Sequence, residues 1–491
     1  MTLKNSPCHP GWAVAAAVLV AWASMIKPFD RFADDFVFVQ LIVDHGWLGF
    51  GKTFGFWRPL GVSLPIWFYQ VHPILAPILA VATHLMNCLL MLRAFHLTLG
   101  RGRLPFLLVL VFAVFPFGKG AMTWMAAYNY VLVTTGFWLL VLALLESGRA
   151  LRKTGLSSGG VSMRCLVSYV LTFLTLLGNE VLIFSMVALP LLLWMDEERP
   201  LRALFRRDSW RQWMVVASVA AGILTWGVLM KVASTLPKEA GVNLSTMLGF
   251  WFRQYTLADE LLAGTSATGR ALIFYEVGPL QIAIAVAGLG LLVWSLWWRG
   301  KAGGSEAKSE AAAPAWRKRN LVVMGGLILF GACLIYVIAG GFSTDSRKKY
   351  PVVPLLLWYG GIAWRQWGGR FSPMVRDLWK PLTAGMVVAG TVTTWISVGA
   401  WSYLTDANTV VIKKIAAESM HPSASVDWSP NLYAEWKELE RTAFRMDEPW
   451  TQMLGTEYFR KRLPSPPPPA GTASPPPHLR QIPGTMEFEW K

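Results

Sequence analysis

The chain has 491 residues, of which 54% are hydrophobic and only 15% charged, with a formal net charge of +16. So little charge cannot cover a water-soluble chain of this length. The placement of the charge also argues against a nucleic-acid partner: from Trp401 onward 10 Lys and Arg stand against 11 Asp and Glu, so the excess lies in the apolar part.

Apolar runs long enough to cross a bilayer as helices recur along the chain. They predict eleven spans, at 11–27, 72–95, 104–118, 121–145, 164–178, 180–195, 212–233, 278–298, 320–341, 350–367 and 381–401. No small-residue cleavage site follows the first run, so it reads as a retained helix rather than a signal peptide. The segment LGVSLPIWFYQ at 60–70 is short and flanked by prolines, and reads as a lead-in to the second span. Cys8, Cys88, Cys165 and Cys333 form no CxxC pair; three of them sit in apolar runs, which suits buried thiols.

Charge in the loops gives the orientation. Basic residues gather after spans two, four, six, eight and ten: Arg101 and Arg103; Arg149 to Arg164; Arg199 to Arg211; Arg299 to Arg319; Arg365 to Lys380. Those loops and the N-terminus are therefore expected in the cytoplasm. The odd-numbered loops are balanced, so loops 28–60 and 234–277 and the C-terminal tail are expected on the far side. One basic cluster, DSRKKY at 345–350, breaks this rule and asks for another reason.

The expected fold class is thus an all-α polytopic membrane protein with about eleven transmembrane helices. Segments 31–43 and 244–262 read as helices lying in the interface, and 300–314 as a flexible linker. The predicted organisation is a membrane domain at 1–401, a small helical far-side segment at 402–463, and a proline-rich tail at 464–491. Within these, a helix is expected at 432–446 behind an Asn431 cap, and disorder at 464–483.

Polar groups collect at one membrane edge. Asp34 and Asp35 follow span one inside KPFDRFADDFVFVQ, and Arg58 stands in FWRPL later in that loop. His84 and Asn87 share one face of span two at i, i+3 spacing. Lys119, Trp124, Tyr128 and Asn129 lie in FPFGKGAMTWMAAYNY, and Glu180 is at the turn before span six. Each has a plainer reading as well. The acids can be solvated loop residues or helix starts. Arg58 and Glu180 can form salt bridges, and His84 can be satisfied across helices. Trp57 and Trp124 can belong to the interfacial belt, and Arg347, Lys348 and Lys349 can meet lipid headgroups.

In their order these motifs resemble the GT-C glycosyltransferases, with closest echoes of the protein O-mannosyltransferases and their bacterial relatives. The motifs are the acid pair after span one, aromatic-Arg-Pro-Leu, His-x-x-Asn, Pro then Thr-Trp, an acid before span six, and RKKYPVVP as an Arg-x-x-Tyr-x-x-x-Pro segment. The sequence departs at AAYNY, where relatives carry a basic residue, and at Asn179–Glu180, where many have Lys-Glu.

The resemblance implies a membrane enzyme that moves a sugar from a polyprenyl-phosphate donor to an acceptor hydroxyl on a glycan, lipid or protein. Its site would face the periplasm or exterior of a bacterial inner membrane. In that chemistry a carboxylate takes the acceptor proton, and cations hold the departing lipid phosphate. Asp34 is the expected base, with Asp35 second or orienting Arg58 or a metal. Arg347, Lys348 and Lys349 are the expected phosphate ligands, with Lys119 next. Glu180, His84, Asn87, Tyr128, Asn129 and Trp124 would support substrate. One aspartate pair offers too few ligands to specify a divalent metal. A flippase or transporter for a lipid-linked substrate, and a ligase using a polyprenyl diphosphate, are the competing readings.

Overall fold

The computed structural model describes residues 10–29, 59–100, 102–114, 118–152, 157–233, 270–302, 314–338, 346–368, 372–417, 425–427, 478–481 and 488–490. The acid pair and Arg58, the segments 31–43 and 244–262, most of the 300–314 linker and the 432–446 helix lie outside the described residues.

Each of the eleven expected segments contains helix among its described residues. The first half comprises α1 (Pro10–Trp22), α2 (Pro59–Val71), α3 (Leu75–Leu99), α4 (Arg103–Val114), α5 (Lys119–Thr123), α6 (Asn129–Leu151) and α7 (Ser158–Gly178). The second comprises α8 (Ile183–Ala188), α9 (Pro200–Leu204), α10 (Trp210–Ala233), α11 (Pro279–Ala302), α12 (Ala315–Ile338), α13 (Val353–Trp367) and α14 (Pro373–Ala417). Among the described residues, five helices are long and apolar enough to cross a membrane: α3, α6, α7, Trp210–Lys231 of α10 and Pro381–Asp406 of α14.

Three expected boundaries shift. The 60–70 segment forms its own helix, α2, set off from α3 by a turn in which the Ile74 N–H donates to His72 Nδ1 at 3.3 Å. The fourth span starts at Asn129, because Trp124 takes an extended conformation and ends α5. The sixth is broken into the 3-10 turn Glu180–Leu182, α8 and the 3-10 stretch Leu189–Trp194. Pro190 at the start of that stretch has no N–H to give an α-helical ladder. A small sheet that the all-helical expectation lacks joins β1 (Ser425–Asp427), β2 (His478–Gln481) and β3 (Phe488–Trp490). It is parallel between β1 and β2 and antiparallel between β2 and β3.

Burial sorts the helices into inner and outer. α1 is built from Ala and Val and packs against α3, α4, α11 and α14. Side chains bond helix to helix here: the half-buried Trp395 Nε1 donates to Val20 O and the buried Thr394 Oγ1 to Val114 O, both at 2.8 Å. By contrast α7, α10 and α11 turn Leu166, Leu224, Val228, Val286 and Val293 outward. An apolar exterior around a bonded interior is what lipid demands of a helical bundle.

The two ends of the bundle differ. At one end Asp196 bonds Arg152 Nη2 and Arg317 Nε, each at 2.6 Å, with Arg149 4.0 Å away. This ties the C-terminal ends of α3 and α6 to the start of α12. At the other end lie the starts of α3 and α6, the end of α1, and the turn Ser346–Lys349 before α13.

Candidate functional site

Tyr350 is the hub of that second end. His84 Nε2 faces Ala113 O at 3.2 Å, and a carbonyl can only accept, so in the neutral ring Nε2 carries the hydrogen. His84 Nδ1 then accepts from the Tyr350 hydroxyl at 2.6 Å. That hydroxyl accepts in turn from Asn87 Nδ2 at 3.2 Å, while Asn87 Oδ1 accepts from Thr135 at 2.7 Å. Asn87 Nδ2 also reaches Val131 O at 3.0 Å. The rings of Trp22, Phe112 and Tyr350 surround the imidazole with centroids 5.2 to 5.7 Å away. The i, i+3 pair on α3 therefore acts as a socket for one tyrosine more than 260 residues downstream.

Gly118 makes the socket possible. Its φ is +67°, in the left-handed region, and a Cβ there would run into Tyr350 Cβ and lie 2.8 Å from Tyr350 Cα. The Gly118–Thr123 segment and the Ser346–Lys349 turn therefore meet closely. The Arg347 guanidinium lies over the Trp124 ring, 4.5 Å from its centroid. Lys119 and Lys349 are both buried, at 0% and 2% exposure. Residues Arg347 to Tyr350 of the basic cluster that broke the loop-charge rule thus fold onto the Gly118–Trp124 segment. For Lys348 the described feature is its backbone place in the turn.

Trp124 also walls a cleft of about 420 Å³. Met25 and Phe29 close it from the end of α1, Pro65 and Tyr69 from α2, Pro73 to Ala80 from the start of α3, and Met122 to Tyr128 from below. Tyr128 donates to Thr83 at 2.7 Å, because the Thr83 hydrogen goes to Leu79 O. Burial pushes this phenol up to about 12. The chain leaves the described structure at Phe29 on the cleft wall and re-enters at Pro59, six residues before Pro65. Asp34, Asp35 and Arg58 lie in sequence between those points.

Asn129 and Glu180 belong to a neighbouring corner. Gly61 of α2 presses against Asn129, and a Cβ there would sit 2.6 Å from Gly178 O. Asn179 Oδ1 caps the turn that carries Glu180 by accepting from the Val181 N–H at 3.0 Å. Asn129 Oδ1 and Asn179 Nδ2 are buried with no hydrogen-bond partner among the described residues.

The structure thus brings His84, Asn87, Lys119, Trp124, Tyr128, Arg347 and Lys349 to one end, with Asn129 and Glu180 one helix away. Tyr350, Thr83 and Thr135 were not among the expected site residues. Tyr350 stood in the quoted RKKYPVVP, and only its tertiary partners reveal its role. Among the described residues no group of three or more His, Cys, Asp or Glu stands together to hold a metal.

No family model and no curated protein matches the chain. Among solved structures it is similar to crystal structures of ArnT from Cupriavidus metallidurans, in the apo state and bound to undecaprenyl phosphate. The identities are 12% and 13%, covering 87% of this chain and 83% of that chain, with a TM-score of 0.36 in each case. Likeness at that level assigns no position in the site.

Proposed function

We propose that the chain is a membrane glycosyltransferase that moves a sugar from a polyprenyl-phosphate donor to an acceptor hydroxyl outside the cytoplasm. The observation that carries this reading is the packing of the Ser346–Lys349 turn against the Lys119–Thr123 helix, with the Arg347 guanidinium over Trp124, a wall residue of the cleft. Three cations and an aromatic face gathered there suit a phosphate-linked sugar. The apolar cleft wall suits the isoprenoid.

The roles follow from the chemistry. The acceptor O–H gives its proton to the Asp34 carboxylate as its oxygen attacks the anomeric carbon. The anomeric C–O bond to phosphate breaks, and the polyprenyl phosphate leaves with its negative charge. Arg347, Lys349 and Lys119 hold that charge, which is larger in the transition state than in the donor. Asp35 orients Arg58. Tyr350, bonded to His84 and Asn87, positions Arg347 without touching substrate. Glu180 and Asn129 help place the acceptor.

Mass spectrometry of envelope glycolipids and glycoproteins, with and without the gene, tests this reading. A sugar missing from one acceptor class on deletion supports it. A missing sugar whose lipid-linked donor is stranded on the cytoplasmic leaflet would replace it with a flippase, and an unchanged glycan inventory would refute it.

A further inference from the structure

A second crevice, of about 280 Å³, opens at the opposite end of the bundle, where the C-terminal ends of α3 and α13 meet the start of α12. Arg317, Lys318 and Arg365 line it together with Leu99, Leu321 and Ile362. From Ala80 on the first cleft to Leu99 is about 28 Å along α3 at 1.5 Å per residue. The two sites are therefore separate.

Arg317 is held rigidly. Its Nε donates to Asp196 Oδ1 at 2.6 Å and its Nη2 to Leu97 O at 3.1 Å. Asp196 is already shared with Arg152 and Arg149, so one carboxylate serves three guanidinium groups. Lys318 has no carboxylate within 4.0 Å among the described residues. The first turn of α12 carries no acid, although a helix N-terminus disfavours cations. Excess positive charge at the mouth over a Leu and Ile wall is the pattern of an amphiphile with an anionic head.

We propose that this crevice binds an anionic phospholipid, its phosphodiester between Arg317, Lys318 and Arg365 and its acyl chains along Leu321 and Ile362. Neither the cations of the first cleft nor sugar transfer enters this assignment.

The test uses full-length protein in detergent, stripped of lipid and followed by native mass spectrometry. It is titrated in turn with phosphatidylglycerol, phosphatidylcholine of the same acyl chains, and inorganic phosphate. The expected result is one saturable phosphatidylglycerol adduct, with phosphatidylcholine and phosphate binding far more weakly. Lys318→Gln and Arg365→Gln should each weaken phosphatidylglycerol about fivefold, and Lys318→Arg should restore it. Lys318 makes no side-chain hydrogen bond or ion pair among the described residues, so its variant reads out binding even if Arg365→Gln fails to fold. Equal affinity for both lipids, or wild-type affinity in Lys318→Gln, would overturn the proposal. So would phosphate binding as tightly as the lipid, which would make this a site for a free anion.

Discussion

Replacing Tyr350 with Phe keeps the ring among His84 and Phe112 and removes one hydroxyl. His84 Nδ1 loses its partner at 2.6 Å, whereas Asn87 Nδ2 loses a 3.2 Å contact but keeps Val131 O at 3.0 Å. An orphaned buried group costs about 1–3 kcal/mol, and hydrogen bonds inside membrane bundles average about 0.6 kcal/mol each. The expected loss is about 1.5–3 kcal/mol, dominated by the imidazole. Reversible unfolding in mixed micelles measures it. Because the bond is shared, adding His84→Ala to Tyr350→Phe should cost at least about 1 kcal/mol less than the two single changes summed. The same substitution loosens the Arg347 turn, so sugar transfer should fall through weaker donor binding. A loss below about 0.5 kcal/mol, or strict additivity, would refute the socket.

Gly118→Ala places a Cβ in left-handed backbone and against Tyr350, so it should destabilise by more than the ~1 kcal/mol of the backbone term alone; a melting temperature equal to wild type would contradict this. Tyr128 titrates higher when folded than the ordinary phenol value of 10. Above pH 10 the unfolded chain therefore releases protons that the folded state keeps, and stability falls as pH rises. For Tyr128 the slope is about 1.4 kcal/mol per pH unit between pH 10 and about 12, and Tyr128→Phe should remove one proton from it. Asp196→Ala leaves three guanidinium groups facing one another; with side-chain exposures of 21% to 38%, solvent screening reduces the cost to about 1–3 kcal/mol. Chemical denaturation measures it, and an unchanged midpoint would show the network to be idle.

Much of the helical order was legible because lipid-length apolar runs leave few alternatives. The His84–Asn87 pair could be placed on one face from spacing alone. What it holds could not, because its partner Tyr350 arrives from more than 260 residues away. The basic cluster at 345–350 was visible as a violation of loop charge, and the structure supplies a neighbour for it in Trp124. The breaks at 124–128 and 180–194 were not legible. Hydropathy reads straight through them, while the extended Trp124 and the missing N–H of Pro190 reset the backbone, and only the turn at Glu180 was expected. The segment at 60–70 reads from its length and flanking prolines as a lead-in to the second span; what that reading did not give is its helical form, α2, which Pro59 opens at a position where no N–H partner is needed.

The central claim concerns Asp34 and the donor it works on. Purified full-length protein, given a labelled polyprenyl-phosphate sugar and envelope acceptor, should release polyprenyl phosphate in step with product. Asp34→Asn should slow that release by about 10²–10⁴-fold, as expected for loss of a general base, and leave the unfolding midpoint unchanged. Wild-type turnover by both Asp34→Asn and Asp35→Asn, or no release from any polyprenyl-phosphate donor, would contradict the account.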